Sequence, residues 1–169
     1  MPAGEKEIIF SSKVKNTGLF SFRDFYKFCY VWLTDEEGMD VAEEKYKEKL
    51  IGNSKNIEIE WTASKKITDY FKYEIKVAFK IEDLIDVEVT KEGIKTKTNK
   101  GGVEVSIKGI LSRDYDGKFD KTATRKFMRG IYEKYIIPAR IHQFESKLIG
   151  MCNEFLEQAK AYLDLEGKK

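Results

Sequence analysis

The sequence predicts an α+β fold in which a curved antiparallel β-sheet of about six strands packs around a long C-terminal α-helix that bends near Pro138. From residue 57 to residue 111, apolar and charged residues alternate with a period of two, which is typical of strands with one buried face. From residue 121 to residue 163, apolar residues recur three and four positions apart, which is typical of helix. With 169 residues, 41% of them hydrophobic and only 2 prolines, the whole chain is expected to form one domain. Its N-terminal part, residues 1–117, contains the sheet, and residues 118–169 form the helical segment.

The N-terminal elements are predicted to be a strand followed by one or two short helices. Residues 7–15 alternate between apolar and polar side chains, and Asn16 and Gly18 tolerate the backbone angles of a turn. Ser21 can cap the helix that follows, because Asp24 stands three residues later in a place like that of a capping box. Apolar residues then recur at helical spacing and form an aromatic stripe: Phe22, Phe25, Tyr26, Cys29, Trp32 and Leu33.

The stretch between this helix and the sheet is ambiguous. The acidic residues 35–37 stand where the helix dipole favours cations, and Gly38 fits a left-handed helix terminator. Residues 40–51 are rich in Lys and Glu, which favours a second short helix. The turn-forming residues 52–56 lead directly into a strand, so a hairpin is the alternative for the same stretch.

The rest of the sheet is predicted as a meander of consecutive antiparallel strands. The alternation is clearest at residues 71–81, where apolar residues take the odd positions and charged residues most of the even ones. Residues 99–102, with the sequence Asn-Lys-Gly-Gly, are expected to form a turn. The strands of the meander are expected at residues 57–61, 71–81, 85–89, 94–98 and 103–111.

The C-terminal helix is too long to remain one rod inside a compact domain. Residues 121–163 would extend about 65 Å, whereas a domain of this size is about 40 Å across. Because Pro138 lacks the N–H that a helix interior needs, we expect two helical pieces that meet near it. The second piece carries a stripe with heptad-like spacing, formed by Ile141, Phe144, Leu148, Met151, Phe155, Gln158 or Ala159, and Tyr162. This stripe can pack on its own sheet, pair residues 139–163 with those of a second copy, or contact a different partner or a membrane.

The order of these elements resembles the helix-grip arrangement of the START and Bet v 1-like superfamily. A strand, one or two helices, an antiparallel meander and a long C-terminal helix follow one another in both. The resemblance covers nearly the whole chain and is one of element order, without a shared sequence motif. It implies a curved sheet that wraps around the last helix and leaves an apolar cavity between them. The alternative is a plain antiparallel sheet packed on helices with no cavity.

The residue inventory argues against most kinds of catalytic site. His142 is the only histidine, and the sequence has no phosphate-binding loop, nucleophile elbow or zinc-protease motif. Cys29 and Cys152 lie far apart among apolar neighbours, so we expect two buried thiols. We therefore expect no catalytic residue, no metal and no cofactor. An enzyme of the cyclase or hydrolase type on the helix-grip frame is the last alternative.

Charge and hydropathy indicate the expected location of the protein. The 31 basic and 29 acidic residues leave a net charge of only +2, so a strongly basic nucleic-acid binder is not indicated. No signal peptide is recognisable, and no apolar run approaches the roughly 20 residues that cross a bilayer. We expect a cytoplasmic protein. Lys and Glu are frequent and Gln is rare, which is a bias typical of thermophilic proteins.

Candidate ligand-binding residues follow from the expected cavity. Large inward-facing rings of the sheet would form its wall, and hydroxyl or imidazole groups near the last helix would supply a few polar contacts. The alternative is that the rings only fill the core. The candidates are Trp61, Tyr73, Phe79, Tyr132, Tyr135 and His142.

A basic cluster at the start of the long helical segment is the candidate partner-binding site. Its members are Lys121, Arg125, Lys126 and Arg129. Cations at a helix N-terminus oppose the helix dipole, so the stability of the helix does not explain them. They can bind an external acidic partner, or they can pair with the nearby Asp114, Asp116 or Asp120.

These observations favour a non-catalytic binding module. It would hold an apolar small molecule or lipid in a cavity between the sheet and the C-terminal helix, or present a surface to a protein. One alternative is an oligomeric or assembly protein that uses the C-terminal helix for self-association as a homodimer. A nucleic-acid-binding or ribosome-associated factor that uses the basic cluster 121–129 is a further, less favoured alternative.

Overall fold

The computed structural model describes residues 5–113, 122–131, 134 and 138–167. The described elements, in chain order, are β1 Glu5–Phe20, α1 Phe22–Val31, a π-helical segment Trp32–Glu36, β2 Asp40–Ile51, β3 Ser54–Lys66, β4 Phe71–Lys91, β5 Ile94–Arg113, α2 Ala123–Ile131 and α3 Pro138–Gly167. The fold is α+β, as predicted, with an antiparallel sheet, a short helix after the first strand and a long C-terminal helix. Three of the candidate site residues predicted from the sequence lie outside the described residues: Lys121, Tyr132 and Tyr135.

The five strands form one open antiparallel sheet in the order β1-β5-β4-β3-β2. Strands β2 to β5 follow one another as a meander, and β1 pairs with β5 at the opposite edge. Because β1 and β2 are the two edges, α1 and the π-helical segment between them must cross from one side of the sheet to the other. α3 packs mainly against β1 and β5 and also touches α1.

The sheet has five strands where the sequence predicted about six. Two pairs of expected strands each form one long strand, β4 and β5, and β2 is a strand that the favoured prediction did not include. β4 continues through a register shift between Glu82 and Ile85, where Asp83 adopts a φ of 54°. The expected turn at residues 99–102 is wrong, since these residues pair with neighbours on both sides. A Cβ on Gly101 would lie 3.0 Å from the backbone oxygen of Glu82, so glycine permits the close approach at this bulge.

The favoured prediction of a helix at residues 40–51 is also wrong, and the hairpin alternative is the observed structure. β2 is an edge strand whose side chains are almost all exposed. Its Lys and Glu residues pair across the hairpin, with Lys45 Nζ 2.9 Å from Glu58 Oε2 and Lys55 Nζ 3.2 Å from Glu48 Oε1. Charged side chains suit an edge strand because they discourage pairing with another chain. Here the tertiary pairing overrides the local helix propensity.

α1 begins and ends close to the predicted positions. The Ser21 hydroxyl accepts a hydrogen bond from the Asp24 backbone N–H at 3.4 Å, as a capping residue does. Gly38 follows the π-helical segment with a φ of 65°, which fits the predicted terminator. The predicted aromatic stripe turns inward, and Phe25 and Cys29 are completely buried.

The C-terminal segment forms two helices, as predicted, with Pro138 at the first position of the second one. Proline is well suited to this position because the first N–H groups of a helix have no intrahelical partner. The apolar stripe of α3 packs on the chain's own core, which was the first of its three interpretations. Its members Leu148, Met151, Phe155 and Ala159 are buried, and Ile141, Phe144 and Tyr162 are partly buried against the core. The buried face of α3 also includes Cys152, Leu156 and Leu163. In the described residues, every helix is too short or too polar to cross a lipid bilayer.

The two faces of the sheet differ as the period of two predicts. The inner face, toward α1 and α3, is apolar, whereas the outer face is charged. Several outer lysines have a carboxylate nearby, such as Lys72 with Glu74 at 3.9 Å and Lys80 with Glu82 at 3.5 Å. This local neutralisation does not favour the use of the outer face for nucleic acid.

Candidate functional site

The inward-facing candidates Trp61, Tyr73 and Phe79 are almost completely buried. The ring centroids of Trp61 and Phe79 lie 4.8 Å apart in an edge-to-face arrangement, and Tyr26 of α1 lies 5.2 Å from Trp61 on another side. Such contacts are typical of core packing. The three rings therefore occupy the interface between sheet and helices, where they pack against other rings.

The polar groups of these aromatic residues are satisfied by the protein itself. The Trp61 Nε1–H donates to Glu43 Oε1 at 3.2 Å, and the Tyr26 hydroxyl donates to the same oxygen at 2.7 Å. Burial, together with the Glu43 carboxylate, raises the pKa of Tyr26 to about 12. The Tyr73 hydroxyl donates to the Phe144 carbonyl at 2.8 Å and so ties β4 to α3.

The remaining candidates do not join these rings in one place. His142 is exposed on α3. Arg125 and Lys126 are exposed in the first turn of α2, and Arg129 belongs to the same helix, although its side chain lies outside the described residues. The prediction that basic residues stand at a helix start is therefore confirmed for Arg125 and Lys126. The cavity between the sheet and the last helix stays a prediction.

A groove of about 590 Å³ lies between α1, with its π-helical segment, and α3. Sequence reasoning did not single it out. Its apolar floor is formed by Phe28, Val31 and Trp32. A volume of this size is typical of sites that hold a ligand or a partner's side chains. We call this site the α1/α3 groove.

The floor of the α1/α3 groove is held firmly from below. Phe28 stacks on Tyr162 of α3 with ring centroids 4.7 Å apart, and Trp32 packs on Phe155 at 5.5 Å. These contacts join the two walls of the groove through four aromatic rings. The groove is thus a preformed feature of the packing between α1 and α3.

The rim of the α1/α3 groove is acidic. Among the described residues that line the groove, Asp24, Glu36 and Glu154 are acidic and Lys27 is the single cation. Gln158 completes the lining on the α3 side. Three carboxylates against one ammonium group produce a negative potential around an apolar floor, which favours a ligand that is apolar on one side and cationic at its margins.

The carboxylate of Glu37, next to the rim residue Glu36, lies in the same negative environment. Burial raises the pKa of Glu37 above its ordinary value, and the Glu154 and Glu36 carboxylates raise it further. Lys65 and Lys147 act in the opposite direction and only partly compensate.

The π-helical segment shapes one end of the groove. The Glu37 N–H donates to the Trp32 carbonyl at 3.1 Å, five residues back, which is the hydrogen bond of a π-helix. This wider turn places Trp32 in the floor and Glu36 at the rim. Short π-helical turns are frequent at functional sites. The acidic residues 35–37, which are unfavourable at a helix C-terminus, were the signal in the sequence.

The thiol of Cys29 is shielded from solvent. Cys29, directly beside the floor residue Phe28 in sequence, is fully buried, and burial raises the pKa of its thiol far above the ordinary value, so the thiolate nucleophile is suppressed. Among the described residues, no group of three or more His, Cys, Asp or Glu side chains is placed to hold a metal ion.

Comparison with known proteins does not assign the chain to a family. No protein-family model matches the chain, and no curated protein matches its sequence.

Proposed function

We propose that the protein is a non-catalytic protein-binding module whose α1/α3 groove takes an amphipathic helix that carries basic residues. The observation that carries this proposal is the combination of an apolar floor, formed by Phe28, Val31 and Trp32, with a rim whose described residues include three carboxylates and one lysine. An apolar groove between two helices is a recurring docking site for a helix that presents apolar anchors three and four residues apart.

The shape of the groove favours a helix over an enclosed small molecule. Its α1 wall extends from Asp24 to Val31, about 10 Å along the helix axis, and it is open along one side. The charges stand at the margins, where they meet the flanking residues of a docked helix. An apolar small molecule in the groove would leave these rim charges without a partner.

A fluorescently labelled, designed helical peptide of Leu and Lys tests the proposal. Its apolar face should dock on the groove floor, and its lysines should meet the rim. We expect saturable binding in fluorescence anisotropy. Val31→Lys should weaken binding at least about tenfold, because it introduces a charge at the floor and offsets the negative rim.

Two matched controls make this test specific. A peptide with Glu in place of Lys keeps the apolar face and should bind at least about tenfold more weakly, since it meets three carboxylates. Ile94→Lys makes the same substitution at an exposed residue of the β4–β5 hairpin and should leave binding unchanged. Equal binding of both peptides, or undiminished binding to the Val31→Lys protein, would contradict the proposal.

The broader sequence-based expectations belong to this proposal. A helix-grip relationship to the START and Bet v 1-like superfamily is supported by the order of strand, helix, four-stranded meander and closing helix. An apolar ligand between sheet and α3, a cytoplasmic location and a thermophilic source rest on sequence pattern and composition.

A further inference from the structure

The helix α2 exposes an apolar face. Phe127, Met128 and Ile131 are 70%, 56% and 39% exposed. At about 100° per residue these three side chains fall within an arc of about 100°. Arg125 and Lys126 flank this arc, about 60° beyond one edge and about 100° beyond the other. α2 is thus a short basic amphipathic helix whose apolar side chains are exposed.

A helix of this kind needs a partner surface. α2 has nine residues, and isolated helices shorter than about 12 residues are marginal in water. Most of the stability of a short helix in a protein comes from burial of its apolar face. Three large exposed apolar side chains in so short a segment therefore indicate a docking element.

From these two features we infer that α2 of a second copy of this chain is the occupant of the α1/α3 groove. This inference rests on the proposed function and names its partner. The apolar face of α2 matches the floor, and Lys126 beside that face carries the charge opposite to that of the rim carboxylates Asp24, Glu36 and Glu154. The lengths agree as well, because α2 extends about 13 Å and the α1 wall of the groove about 10 Å.

The length of the chain favours a second copy over the groove of the same chain. Glu154 and Gln158, which form the α3 side of the groove, stand 16 and 20 residues after Pro138, about 24 and 30 Å along the helix axis. Ile131 is seven residues before Pro138 and can be at most about 25 Å from it, even with the chain fully extended. Within one chain, Ile131 would reach only the near end of the groove. Between copies there is no such limit.

A reciprocal exchange of α2 between two copies is also compatible with two-fold symmetry. Each copy offers one α2 and one groove, so a two-fold dimer fills both grooves and covers both apolar faces. Two small contacts in one closed assembly reinforce each other, because the second contact forms within the complex. The expected species is therefore a reversible homodimer.

Sedimentation velocity of the full chain from about 1 µM to about 200 µM tests this inference. We expect a monomer–dimer equilibrium that Phe127→Ser weakens roughly ten- to hundredfold, because it removes the largest apolar anchor. Val31→Lys should weaken it similarly from the groove side. Ile94→Ser alters an equally exposed apolar residue away from both surfaces and should leave the equilibrium unchanged. Circular dichroism should show that all three variants fold, since each replaced side chain is exposed.

A mixing experiment distinguishes exchange from other modes of association. Phe127→Ser protein keeps an intact groove, and Val31→Lys protein keeps an intact α2. Neither should dimerise alone at concentrations where the unmodified chain does, but their mixture should form a heterodimer through the one complementary contact. Dimers that persist in both single variants, or a mixture that stays monomeric, would overturn the inference.

The failure of this inference can be distinguished from failure of the proposed function. A chain that is monomeric at all concentrations, yet binds the Leu-Lys peptide in a manner that depends on Val31, overturns the second copy and retains the groove. A monomeric chain that instead sediments with anionic phosphatidylserine vesicles in a Phe127-dependent manner overturns it in favour of a membrane surface for α2.

Discussion

Trp61→Ala is expected to lower the free energy of unfolding by about 3–5 kcal/mol, the usual cost of removing a large buried aromatic side chain. Trp61 is 1% exposed and packs between Phe79 of the sheet and Tyr26 and Tyr30 of α1. Its removal leaves a cavity between the sheet and α1 and deprives the Glu43 carboxylate of one of its two donors. Urea unfolding followed by circular dichroism measures the loss.

Trp61→Phe is the matched control. It keeps an aromatic ring but removes the Nε1–H donor, so a smaller loss of about 1–2 kcal/mol is expected. The same large loss in both variants would show that the hydrogen bond to Glu43 outweighs packing. Tyr46→Ala, at a half-exposed ring on the edge strand β2, should cost less than either substitution.

Gly109→Val is expected to cost about 3 kcal/mol through overpacking, because β5 and α3 approach each other closely at this glycine. A Cβ at residue 109 would stand 2.9 Å from Cys152 Sγ and 3.4 Å from Leu148 Cγ, both on α3. Phe10 closes a third side at 3.3 Å. A branched side chain here must push α3 away from the sheet. Thermal and urea unfolding should both show the loss.

Two further substitutions make the Gly109 prediction specific. Gly109→Ala combined with Cys152→Ala should be less destabilised than the sum of the single changes, because the second removes the atom that the new Cβ would meet. Gly150→Ala is the control on α3, since a Cβ there meets nothing within 4 Å. It should raise stability by about 0.5–1 kcal/mol through helix propensity. Strict additivity at residues 109 and 152 would contradict the close approach.

The elements with a strong single period could be predicted from the sequence. The alternation around residues 71–81 located β4, and the stripe from Ile141 to Tyr162 located α3, because in both cases one buried face dictates the residue pattern. The helix start at Ser21 followed from cap chemistry. These are local signals with a direct physical cause.

The errors in the predicted fold have one physical origin, which is pairing between distant strands. Residues 40–51 have the composition of an exposed helix, and only the partner strand β3 makes them an edge strand. Gly101 resembles a turn residue in the sequence, yet the bulge opposite it requires a glycine inside β5. Nothing local distinguishes these alternatives.

The candidate site could be predicted only in part, because it too depends on contacts between residues that are distant in sequence. Burial of Trp61, Tyr73 and Phe79 could be expected from their place in the alternating pattern, but whether buried rings surround a cavity or fill it depends on how the layers approach each other. The α1/α3 groove joins Asp24 to Glu154, which are 130 positions apart, so the misplaced acidic residues 35–37 were a local signal but could not reveal the groove itself. The basic start of α2 was visible because it conflicts with the helix dipole.

Site-specific photo-crosslinking is the most direct test of the central claim that the α1/α3 groove receives α2 of a second copy. p-Benzoylphenylalanine replaces Val31 in ¹⁵N-labelled protein, which is mixed with unlabelled chain, irradiated and mapped by mass spectrometry. The expected product joins the labelled residue 31 to unlabelled residues 123–131. Crosslinks confined to one isotopic species, or to other segments of the second copy, would contradict it.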